Sequence, residues 1–146
     1  LCTLLRTSEK LLDQALPLVR VRIAGGMSRE VPDLEAPSQG ESIAAARDLL
    51  RLVGAVRGPA GVFGCESERK QVVEVLAQKL SRYAEEAFGT VNAGELADPR
   101  HALELVSIAA DFLTLIDDEE AARTIRRRAA IAIRPRKRGG AARAVA

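Results

Sequence analysis

A chain of 146 residues with 47% apolar and 29% charged residues is long enough for one core and too apolar to stay unfolded. It has no Trp and only 3% aromatic residues, so its core must be aliphatic and it has little surface for stacking on bases or sugars. Its net charge of +2 hides an asymmetry: residues 121–146 carry nine basic groups and no acid, which leaves residues 1–120 at −7.

The first predicted element covers residues 1–24. Leu1, Leu4, Leu5, Leu11, Leu12, Ala15 and Leu16 recur at helical spacing. Pro17 breaks that pattern, because it lacks an N–H and clashes one turn back. The residues after it, Val19 to Ile23, alternate as a half-buried strand would, but no second strand is evident to pair with them. The expectation is therefore a helix to about Leu16, with Pro17–Ala24 open between helix end and strand. Residues 25–40 hold Gly25, Gly26, Pro32, Pro37, Ser38 and Gly40 and read as a flexible linker.

Ser38 and Glu41 have capping-box spacing and open a helix whose stripe is Ile43, Ala46, Leu49, Leu50, Val53 and Val56. Gly58–Gly64 reads as a flexible connector. It is not a phosphate loop, since Cys65 and Glu66 follow where Lys and Ser/Thr would be needed. A helix over Glu66–Phe88 follows, with the seam Val72, Val73, Leu76, Leu80, Tyr83, Ala84, Ala87 and Phe88 and a stop at Gly89. Asp98 as N-cap and Pro99 at the first position open the next helix. It is apolar almost all round to Ile116, as befits a central helix. Asp117 and Glu120 repeat the capping spacing before a last helix that ends at Pro135. Residues 135–146 lack periodicity and are expected to be disordered.

The fold class expected is all-α: a compact antiparallel bundle of four to five helices, with its core over residues 41–134 and a disordered basic tail. No run reaches the roughly 18 apolar residues of a membrane helix, so no membrane role is expected. The start lacks the basic and apolar regions of a signal peptide, and the single methionine is Met27, which reads as a fragment or a processed chain. Cys2 and Cys65 form no CxxC pair, and the single His101 adds no zinc spacing. Two reduced thiols in a cytoplasmic protein, or a nuclear one if the source is eukaryotic, are the expectation, with a disulfide between Cys2 and Cys65 as the alternative.

Few residues offer chemistry. His101 has no nucleophile or co-ligand near it in sequence and reads as a helix-end residue. The run Asp117–Glu120 lacks the alternating acids of a calcium loop and is explained by helix capping. The same acids stand where a recognition helix would meet phosphates, which disfavours sequence-specific DNA reading. No cofactor or metal site is expected. The remaining signal is the basic end, where Arg123, Arg126, Arg127, Arg134, Arg136, Lys137 and Arg138 form a candidate polyanion-binding set. The functional expectation is a protein–protein interaction or scaffold module whose basic arm contacts nucleic acid or another polyanion. The alternative is a helical enzyme using carboxylates, such as Glu85, Glu86, Glu104 and Asp111, and a metal.

Overall fold

Apolar spacing sets the helices. In the computed structural model, which describes residues 2–133, helix α1 (Cys2–Ala15) turns Leu5, Leu12 and Ala15 inward, followed by Leu16. Ser8 lies in the same buried row; its hydroxyl donates to the Leu5 carbonyl at 2.5 Å, which meets its hydrogen-bonding need inside the helix. The helix stops just before Pro17.

The next segment departs from expectation. Strand β1 (Leu18–Arg22) pairs antiparallel with β2 (Ser28–Pro32), in the register Val19 to Val31 and Val21 to Arg29. A short 3-10 turn, Ala24–Gly26, closes the hairpin, with Gly25 and Gly26 at φ +84° and +76°. Those left-handed conformations suit glycine, which has no Cβ to clash. The segment read as a linker thus holds the second strand, and the all-α reading missed a small sheet. β2 is hard to see in sequence because Val31 is its only β-branched residue. Leu34, just beyond, is buried and anchors the hairpin base to the body.

Helix α2 (Gly40–Ala55) buries Ile43, Ala46, Leu50 and Val53. The expected capping box does not form: Gln39 is the N-cap, without a side-chain bond, and its carbonyl accepts from the Ile43 N–H at 2.9 Å. The connector expected over Gly58–Gly64 is largely a short helix, α3 (Arg57–Val62), seated on buried Ala60. Helix α4 (Glu66–Ala93) buries the expected seam except Val73, which is half-buried, and encloses Leu76 and Leu80 fully. It runs through Gly89 and ends at Gly94, φ +74°. A helical glycine costs about 1 kcal/mol against alanine. Val91, packed on the core beyond it, continues the apolar row and offsets that cost.

Helix α5 (Pro99–Leu115) begins as read, with the Asp98 carboxylate accepting from the His101 N–H at 3.3 Å. It packs against α2, α4 and α6 and buries eight of its seventeen side chains. Helix α6 (Glu119–Ile133) is capped one residue later than expected, at Asp118 and not Asp117. Asp118 accepts from the Ala121 N–H at 3.3 Å, while Asp117 takes the left-handed turn at φ +67°. One core of buried aliphatic side chains, with Phe88 and Phe112, joins the described helices. The described residues are mostly helical, with six helices where four to five were expected and one two-stranded sheet. Arg134, Arg136, Lys137, Arg138 and the tail expected to be disordered lie outside the described residues.

Candidate interaction surfaces

Helix α6 carries the described part of the basic candidate set, and the fold splits that set in two. Arg126 reaches back to α5, its guanidinium 3.0 Å from Asp111 Oδ1 and 3.1 Å from Thr114 Oγ1. Arg128 pairs with Glu85 of α4 and lies over the Phe88 ring, 4.5 Å from its centroid. These two arginines clamp α6 onto the acidic body. Arg123 and Arg127, one turn apart, are exposed and form no ion pair among the described residues. Of the polyanion candidates that are described, Arg123 and Arg127 therefore remain available, and Arg126 is already engaged.

The carboxylates of the enzyme alternative are dispersed. Asp111 and Glu85 hold the α6 arginines. Glu86 faces Arg82 at 3.4 Å and Arg29 at 3.6 Å. Glu104 is 70% exposed and lies 3.7 Å from His101 Nδ1. Among the described residues no three His, Cys, Asp or Glu side chains come together as a metal site. His101 has a structural bond that its sequence context did not reveal. Its Nε2 lies 2.7 Å from the Ala36 carbonyl, so that nitrogen carries the proton and ties the segment after the hairpin to the start of α5. Cys65 is disulfide-bonded, which corrects the expectation of a free thiol there.

Arg69, unremarked in sequence, is buried at the junction of α2, α4 and the α5–α6 turn. Its Nε donates to the Val53 carbonyl at 3.0 Å, and its guanidinium lies 3.9 Å from Asp117. A cleft of about 180 Å³ separates the hairpin from α1 and α4; Leu12, Leu16, Pro32 and Leu80 form much of its apolar wall. Charges at its rim are already paired: Lys79 lies 3.5 Å from Asp13, and Arg82 3.4 Å from Glu86. Tyr83, the chain's single tyrosine, also lines it. The Tyr83 hydroxyl is buried and has no hydrogen-bond partner among the described residues. Burial, with a smaller contribution from the Asp33 charge, pushes the phenol far above its ordinary range.

The hairpin is the surface that sequence reasoning did not find. Residues 18–30 are exposed without interruption. Among the ten large apolar side chains exposed in the described residues, five (Leu18, Val19, Val21, Ile23 and Met27) belong to it. Val19, Val21 and Ile23 alternate onto one face, where Val31 joins them across the ladder. Met27 at the turn is 67% exposed. These apolar side chains are grouped, unlike the singly scattered apolar residues of an ordinary surface. The part of the signal present in the sequence is the alternating run over residues 19–23 followed by Gly25 and Gly26; the second strand itself carries almost none. A second apolar point, Val62 and Phe63 at 86% and 69% exposure, stands at the end of α3.

Comparison with protein-family models, with curated proteins and with solved structures gives no match for this chain.

Proposed function

We propose that this protein is a protein-interaction module which binds its partner through the β1–β2 hairpin and adds electrostatic affinity through its basic C-terminal end. The observation that carries this reading is the uninterrupted exposure of residues 18–30, with five large apolar side chains among them. A two-stranded hairpin of this size is marginal alone in water, so an apolar face on it gains most when a partner covers it. The helices, in this reading, form the antiparallel bundle expected from sequence and act as the rigid support. The polyanion contact rests on Arg123 and Arg127, together with Arg134, Arg136, Lys137 and Arg138 beyond the described residues.

The test is a set of three substitutions, Val19→Thr, Val21→Thr and Ile23→Thr. Threonine keeps strand propensity but removes apolar contact area. The variant should retain its far-UV circular dichroism and lose partner capture from an extract of the source cells. Capture that survives the three changes moves the interface elsewhere. No helix among the described residues is long and apolar enough to cross a membrane. The cytoplasmic expectation rested on reduced thiols, whereas the disulfide at Cys65 supports an oxidising compartment. Counting free thiols in protein taken from its native source, with alkylation before lysis, decides between them.

A further inference from the structure

The outer edge of β1 has the pattern of a strand-addition site. The Ile23 N–H donates to the Met27 carbonyl, and the Asp33 N–H to the Pro17 carbonyl, both at 2.9 Å. With the register of the pair, those bonds direct the backbone groups of Val19 and Val21 toward β2 and those of Leu18, Arg20 and Arg22 outward. Among the described residues the sheet has two strands, and none of those residues continues the ladder on that side. The opposite edge is less open, since Pro32 has no N–H to offer and Arg29 leans on Glu86 of α4 at 3.6 Å. Every residue of β1 is exposed.

The side chains along this edge alternate in kind as well as in direction. Val19, Val21 and Ile23 stand on one face; Arg20 and Arg22 stand on the other. Arg20 has one long contact, 3.8 Å from Glu30, and both groups are well exposed. Arg22 has no ion pair among the described residues. A second copy adding antiparallel to β1 would set arginines against arginines, which is unfavourable across a sheet. An acidic strand would meet them with opposite charge, while its alternate apolar residues extended the valine face.

We infer that β1 accepts an extended segment of a partner protein in which acidic and apolar residues alternate, added as a third strand. The inference rests on the interaction-module reading and names the partner's chemistry. It places the affinity in backbone hydrogen bonds and the selectivity in Arg20 and Arg22.

The intact protein is titrated with an end-blocked peptide alternating valine and glutamate, and followed by amide chemical shifts and hydrogen exchange. Saturable shifts at Leu18, Arg20 and Arg22, with exchange of those amides slowed at least about tenfold, are expected. A valine–lysine peptide should bind at least about tenfold more weakly, and a peptide N-methylated at alternate residues should not bind. The double substitution Arg20→Glu, Arg22→Glu should reverse the preference between the two peptides, which a merely unfolded hairpin would not do. Three outcomes overturn the inference: no saturable shift, equal affinity for both peptides, or a chain that dimerises with β1 amides protected before peptide is added. Methyl shifts at Val19, Val21 and Ile23 without amide protection overturn strand addition alone and leave the interaction-module reading standing. Loss of partner capture in the threonine variant tests that reading separately.

Discussion

Gly54 shows how much one missing methyl group can matter. A Cβ built at that position would lie 2.2 Å from the Leu115 carbonyl oxygen, inside any tolerable contact. In an isolated helix, Gly→Ala would add about 1 kcal/mol of stability. Here the new methyl must push α2 away from α5, and overpacking of this kind costs about 1–3 kcal/mol. Gly54→Ala should therefore lower the melting temperature, and an unchanged or raised value would show that the two helices are less closely apposed. Tyr83 gives a cleaner readout because it is the only tyrosine and there is no Trp. Its phenol is raised above the ordinary value of about 10 by burial first and by Asp33 second. The unfolded chain therefore ionises first as pH rises. Stability from the neutral buried phenol is complete below about pH 10 and is lost above it. Phenolate absorbance should appear only together with loss of helical circular dichroism, in one alkaline transition. A separate phenolate titration near the ordinary value, with the helices intact, would show that Tyr83 is solvated. Tyr83→Phe removes a buried hydroxyl that has no hydrogen-bond partner among the described residues and should leave stability unchanged or raise it.

At the scale of elements, the hairpin and α4 behave as opposites. No residue of 18–30 is buried, whereas α4 places Leu76 and Leu80 wholly in the core. Replacing Leu18–Pro32 with a short Gly-Ser connector should keep the helical far-UV signal and shift the melting temperature by only a few degrees. Leu80→Ala should cost about 2–5 kcal/mol in urea unfolding. If the excision costs as much as Leu80→Ala, the hairpin is part of the folding unit and not an appended arm. Helix α6 lies between these extremes. Its apolar side seats Ala122 and Ile125, and its position also depends on Arg126 with Asp111 and Arg128 with Glu85. Both pairs are substantially exposed, and such pairs contribute little individually, so they orient the helix more than they stabilise it.

For the whole molecule, the governing feature is the separation of a −7 body from a +9 end. Two of the four described arginines of α6 are neutralised by the body, which limits the charge that end presents. Salt dependence of binding to duplex DNA measures what remains. Each phosphate contact contributes a log–log slope of about −0.9. Arg123→Ala with Arg127→Ala should flatten the slope by up to about two contacts, whereas Arg126→Ala should change it little. Removing residues 135–146 should weaken binding further and barely move the melting temperature. A chain with no salt-dependent binding at low salt has no polyanion role.

The helices were legible because their information is local: the seam from Val72 to Phe88, the Asp98–Pro99 start of α5 and the all-round apolarity of α5 can each be read within a few turns. The boundaries were less so, since Gly89 looks like a stop until Val91 is seen to pack beyond it. What the tertiary structure decided was every pairing between distant segments. Strand β2 carries almost no strand signal and exists because Gly25 and Gly26 turn the chain back onto β1. Arg69, His101 and Gly54 acquire their roles only from Val53, Ala36 and Leu115, residues to which no sequence periodicity connects them. The basic end was visible as composition, but which arginines stay available was set by where Asp111 and Glu85 stand when α4, α5 and α6 pack. Sequence fixes which side chains can be buried or charged; the distances between segments far apart in the chain, and hence the partner of each charge, are set only when the core closes.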